Sequence, residues 1–250
     1  MVKMVDTPMR SFTSSIPANP QAWVLVHGAW HGGWCWDKVV ALLQARALFA
    51  SAPTLTGLAE RESELSRRVT LETHVEDIVK HVRSLQRADI TLVAHSYGGF
   101  PATLAAKKLG GIVRHLILLD AFLPINKERV LDHAPQLIDS YTASVLADKK
   151  WHIPPLPSEM FGVDKADRMW VDALLTPQPV NTYFHAAELP FTIDKFRKSY
   201  IRCLQAPGDL LSRSLERIHA DSSWKYYEID APHDVMITAP ERLVKLLLQL

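Results

Sequence analysis

The sequence predicts an α/β domain with a mostly parallel central sheet covered by helices on both faces. Three observations predict it. Runs of Val, Ile and Leu alternate with amphipathic stretches of helical period, and strands apolar along their whole length are those buried on both sides. One such run, Ile90 to His95, leads directly into a serine among small residues, S-Y-G-G at 96–99. Another, Trp23 to Val26, leads into a glycine-rich turn, H-G-A-W-H-G-G at 27–33.

Residues 1–20 are polar and interrupted by Pro8, Pro17 and Pro20, which predicts a loose N-terminal arm, with the fold proper beginning near Gln21. After the first strand, Trp36 to Ala45 has helical spacing, and Leu48 to Ala52 reads as a short strand before Pro53. Thr70 can cap a helix whose apolar positions, Val75, Ile78, Val79, Val82 and Leu85, follow the i, i+3, i+4, i+7 pattern of a helix docked on a sheet. The strand before Ser96 and its helix come next, followed by a strand at His115 to Asp120. From Pro124 to about Pro190 the alternation stops, and aromatics and prolines accumulate. An insertion of this kind between core strands reads as a cap over the carboxyl edge, where open α/β sheets bind ligands. The core resumes with strands at Tyr200 to Leu204 and Lys225 to Ile229, and a closing helix starts at Pro240. The expected organisation is therefore an arm (1–20), a core (21–123 and 191–250) and a cap (124–190).

With 250 residues, 48% of them hydrophobic, the chain can bury one substantial core. Lys plus Arg (28) nearly balances Asp plus Glu (27), leaving a formal charge of +1. That balance argues against nucleic acid or an anionic membrane surface as partner. No apolar stretch has the length of a signal peptide or a membrane span, so a cytoplasmic protein is the expectation. Cys35 and Cys203 lack disulfide-framework or metal-ligand spacing and are expected as packed thiols.

The segment A-H-S-Y-G at 94–98 has the form of a nucleophile elbow, a tight strand-to-helix turn that lifts a serine hydroxyl above the sheet. It departs from G-x-S-x-G only in Ala94, which adds one methyl. A serine nucleophile needs two backbone N–H donors for its oxyanion, one just after the serine and one from the earlier glycine-rich loop. Tyr97 and Ala29 are the candidates. The matching base is expected on the loop after the last strand, where A-P-H-D at 231–234 offers His233. His27 and His31 have a spacing open to a metal pair, but they lie in a turn and no third ligand is apparent, so no metal is expected. Trp30, Phe122, Trp151, Met160 and Tyr183 are the expected substrate-binding residues, giving an apolar, aromatic pocket suited to hydrophobic or aryl esters.

Motifs along the chain, among them L-V-H-G-A-W-H-G-G-W-C-W, L-T-G-L-A-E-R, A-H-S-Y-G-G, L-L-D-A-F-L-P and H-D-V-M-I-T-A-P-E, make it similar to the α/β-hydrolase superfamily. More closely, it resembles a bacterial esterase-like group related to plant hydroxynitrile lyases and methyl esterases. The resemblance implies the α/β-hydrolase fold, a Ser-His-acid hydrolase passing through an acyl-enzyme, and no organic cofactor. Ser96 and His233 fall on the nucleophile and base. The plant relatives place the acid just after the strand at Tyr200 to Leu204, where the ungapped match is Ala206, with Asp209 three residues on. The other position used in this fold, the end of the strand after the nucleophile helix, holds Asp120, which is favoured over Asp209.

Two other readings stay open. A lyase of the hydroxynitrile type carries threonine after the strand-end histidine and lysine after the catalytic histidine, where this chain has Gly28 and Asp234. A non-catalytic small-molecule receptor on the same scaffold can retain the triad, because fold alone does not decide function. The expected partner is a small-molecule ester substrate, with a homodimer left open.

Overall fold

The computed structural model describes residues 21–135, 138–139, 141–143, 151–189 and 196–250; the N-terminal arm expected over 1–20 lies outside them. In chain order the core elements are β1 (Ala22–Val26), α1 (Asp37–Gln44), β2 (Phe49–Ser51), α2 (Leu71–Ser84), β3 (Ile90–His95), α3 (Gly99–Leu109) and β4 (Val113–Leu119). An insertion follows, with β5 (His152–Ile153), α4 (Lys165–Leu174), β6 (Gln178–Pro179) and α5 (Asn181–Phe184). The core closes with β7 (Arg197–Cys203), α6 (Ser212–Ala220), β8 (Trp224–Ile229), α7 (Val235–Thr238) and α8 (Pro240–Leu247).

The six core strands form one sheet in the order β2-β1-β3-β4-β7-β8, and each of its pairings is parallel. Both β1 and β3 are buried at every residue, as their unbroken apolar composition requires of a sheet covered on two sides. The helices pack in pairs, α1 with α8 and α2 with α3. Thr70 caps α2 reciprocally: its hydroxyl accepts from the Thr73 amide, and its own amide donates to the Thr73 hydroxyl. Such a cap contributes about 1 kcal/mol. The buried face of α2 runs through Val75, Ile78, Val79 and Val82 as the periodicity predicts, but it also takes in His74.

Because the strands are parallel, the segments following β1, β3, β4, β7 and β8 all emerge at one edge of the sheet. The insertion joins β4 to β7 and is fastened near its base. Arg217 on α6 makes a two-pronged contact with Glu128, 2.7 Å at each oxygen, and donates to the Leu123 carbonyl. Two backbone bonds, Lys127 N to Ala187 O and Ala187 N to Glu128 O, tie the start of the insertion to its end. Burial would raise the Glu128 carboxyl, but His133 and Arg217 outweigh it and bring it down to about 2.

Candidate active site

The serine after β3 sits in a turn that only small neighbours permit. Ser96 has φ +52, a left-handed angle rare for a residue with a side chain. A Cβ on Gly98 would lie 2.6 Å from the His27 carbonyl oxygen, and one on Gly99 would lie 2.1 Å from that of Phe122. The two glycines therefore let the start of α3 pass between the loops that follow β1 and β4. The Phe122 amide donates to the Ser96 carbonyl at 3.1 Å, joining the elbow to the end of β4.

Gly28 brings the loop after β1 against the same turn. A Cβ there would come within 2.9 Å of His95 Nδ1 and 3.0 Å of Ser96 Cβ. The next residue, Ala29, has no recorded acceptor for its amide among the described residues. Tyr97 lies in the first turn of a helix, where amides lack intrahelical acceptors. Trp30, at φ +64, holds the loop from the other side: its amide donates to Gln178 Oε1 and its indole to the Ile153 carbonyl.

Asp120 terminates β4 at φ +43 and is fully buried. Its Oδ2 lies 2.6 Å from His233 Nδ1, and its Oδ1 accepts from Arg202 Nη1 at 2.5 Å and the Cys203 amide at 3.2 Å. Asp209, the other carboxylate considered, is exposed, and no bond to His233 is recorded. Ser96 Oγ has no hydrogen-bond partner among the described residues. A catalytic hydroxyl often makes that contact only with substrate in place.

Ser96, Asp120 and His233 line one cavity of about 290 Å³. Of the residues expected to bind substrate, Trp30, Phe122, Met160 and Tyr183 line it, and Trp151 does not. Trp151 directly precedes the two-residue β5–β6 ladder and is 41% exposed among the described residues. Sequence reasoning missed Leu156 and Phe161 from the insertion, and Arg202 and Ala206 from the core. Phe161 stacks on Trp30 at 5.8 Å and faces the His233 ring at 6.1 Å. One signal for Arg202 was available: a charged residue in a core strand otherwise buried around it needs a buried partner.

A second layer of histidines backs this edge. His27 uses both ring nitrogens within the protein, at the Gly28 carbonyl and the Leu55 amide, and burial pulls it down to about 3. His31 also uses both, at the Ala29 carbonyl and at Asp234 Oδ2. Burial alone would depress His31, but the Asp234 carboxylate outweighs it and favours the imidazolium. His95 packs on the His233 ring at 4.4 Å and donates Nε2–H to the His233 carbonyl, while burial keeps it neutral. His95, His233 and Asp234 bring ligand-type atoms within 4.8 Å of one another, a grouping that shares His233 with the Asp120 contact and so belongs to the same site.

Comparison with known proteins gives the same outline. Residues 23–246 match the profile of the alpha/beta hydrolase family. The carbendazim hydrolyzing esterase of Nocardioides sp. (strain SG-4G) is 31% identical over 236 residues, 89% of this chain and 96% of that protein. Methylesterase 7 of Arabidopsis thaliana is 28% identical over 253 residues, 93% of this chain and 96% of that protein. Among solved structures, an extracellular alpha/beta-hydrolase from a Paenibacillus species superposes with a TM-score of 0.79 at 21% identity, covering 92% of this chain and 98% of that one. Tomato methylketone synthase I bound to 2-tridecanone gives 0.71 at 17%, covering 92% and 97%. At these identities the two structures speak to the fold alone.

Proposed function

This chain belongs to the alpha/beta hydrolase family, and from that membership we propose that it is a serine carboxylic ester hydrolase working through Ser96, His233 and Asp120. The observation that carries the reading is one apolar cavity onto which a left-handed elbow serine and a carboxylate-bound histidine both open. Ser96 Oγ attacks the ester carbonyl carbon as His233 takes its proton, and the C–O bond to the alcohol then breaks with that proton returned to the leaving oxygen. Water, deprotonated by His233, cleaves the acyl-enzyme to release the acid. Asp120 orients the imidazole and stabilises its charged form, and the Ala29 and Tyr97 amides hold the oxyanion. Residues 124–190 serve as the cap. The aromatic and aliphatic lining favours hydrophobic or aryl esters, in keeping with relatives named as esterases.

The test is a serine-reactive aryl phosphonate read by mass spectrometry together with turnover of a chromogenic ester. One adduct on Ser96 is expected, and Ser96→Ala should lose both label and turnover, the latter by about 10³-fold or more. A folded Ser96→Ala protein with near-normal turnover would overturn the reading. Among the described residues no helix is long and apolar enough to cross a membrane.

A further inference from the structure

Arg202 stands in β7, and among the described residues no other Lys or Arg lines the cavity. Its guanidinium holds one oxygen of the Asp120 carboxylate while His233 holds the other, and the Cys203 amide gives the arginine side a second donor. We propose that Arg202 is a positioning residue that sets the working pH of the site: by sharing the Asp120 carboxylate with His233 it fixes where the acid limb of the activity profile falls. This rests on the reading of Ser96, His233 and Asp120 as the triad.

An anion beside an imidazole stabilises the imidazolium, and an enzyme whose base is already protonated cannot accept the serine proton. Arg202 carries a charge that does not titrate, and its side chain, only 16% exposed, meets the fully buried Asp120. It therefore offsets much of the carboxylate's field at His233. The donors crowded on Oδ1 also fix the plane of the carboxylate, so Oδ2 stays aimed at Nδ1.

The other groups around His233 do not supply this effect. His95, packed on its ring from the end of β3, is kept neutral by burial. Asp234, next in the chain, is paired with His31 from the loop after β1. In β7, burial holds the Cys203 thiol and the Tyr200 hydroxyl protonated, and in β8 it raises Tyr226 as well. Among the described residues, Arg202 is thus the permanent cation in contact with the Asp120–His233 pair.

The test is the pH dependence of kcat/KM for 4-nitrophenyl acetate, whose acid limb reports the base in the free enzyme. Arg202→Met should move that limb upward by about one pH unit, a tenfold rise in proton affinity. Arg202→Lys, which retains the charge, should return it most of the way. Arg202→Gln keeps a donor without the charge and should behave as the Met variant, replacing it if that one does not fold. The proposal is overturned if folded Met or Gln variants keep the wild-type limb, if Lys shifts it as far as Met, or if neither uncharged variant folds. An unmoved limb with an inactive Ser96→Ala protein removes only the role of Arg202, whereas an active Ser96→Ala protein removes the triad reading itself.

Discussion

Ser96, Asp120 and His233 stand at or just beyond strand ends and take their positions from the sheet, whereas the described part of the insertion meets the same cavity with side chains from turns and short helical segments. The sheet edge holds polar groups in fixed directions. The insertion contributes mostly carbon, from Leu131, Leu156, Phe161 and Tyr183 among others. In the proposed mechanism the reacting groups all come from the sheet edge, while the apolar lining beside them comes from the insertion and from core loops that include Trp30, Phe122 and Leu211, so substitutions of reacting groups and of lining residues should act on different kinetic constants.

The largest effect expected lies on the sheet edge. Asp120→Asn keeps the shape but removes the charge that supports the imidazolium, and turnover at neutral pH should fall by roughly 10² to 10⁴, with Asp209→Asn close to wild type. The reverse pattern would move the acid to the loop after β7 and break the assignment of the reacting groups to β3, β4 and β8. Next comes the loop after β1. Gly28→Val would press a branched side chain on His95 and Ser96, so kcat should drop by about 10², far more than the accompanying fall in thermal stability accounts for. Equal losses of folded protein and of activity, with specific activity unchanged, would show that the glycine serves only the turn.

At the base of the insertion the expected effect is on stability. Glu128→Gln leaves Arg217 half-paired at a site partly open to water and should cost about 2 kcal/mol by urea unfolding near neutral pH. The Glu128 carboxyl is lower in the folded protein than its ordinary value, so its contribution is complete above about pH 4.5 and declines as pH falls toward about 2. A wild-type-minus-variant gap that stayed constant over that window would contradict the paired carboxylate. The smallest effect separates two aromatics of the insertion. Phe161→Ala should raise KM for an aryl ester about tenfold through lost apolar contact, and Trp151→Ala should leave KM nearly unchanged.

The contrast also decides how much of the molecule is legible in its sequence. The elements of the core follow from apolar runs and helical spacing, and α2 begins at the threonine expected to cap it. The elbow and the Gly28 turn are legible because tight backbone passage demands small residues at fixed offsets, which leaves a mark in sequence. Its position at a strand end is what favours Asp120 over Asp209 in the sequence, and its Oδ2 lies 2.6 Å from His233 Nδ1. The insertion leaves no such mark. Its strands are two residues long, too short for a period, so nothing local tells Trp151 from Phe161. Arg202 escaped notice for a different reason: its partner lies 82 residues away, and only the register of β4 against β7 joins them.

Trp30, Ser96 and Asp120 are three residues with side chains held at positive φ, at the ends of the neighbouring strands β1, β3 and β4. Each such angle costs on the order of 1 kcal/mol or more, relieved where glycine stands instead. A stability screen blind to activity would therefore favour glycine at Ser96, where no side-chain bond offsets the strain. For the glycine variant at Ser96, melting temperature and turnover should therefore move in opposite directions, so thermostability engineering of this protein would need to hold that position fixed.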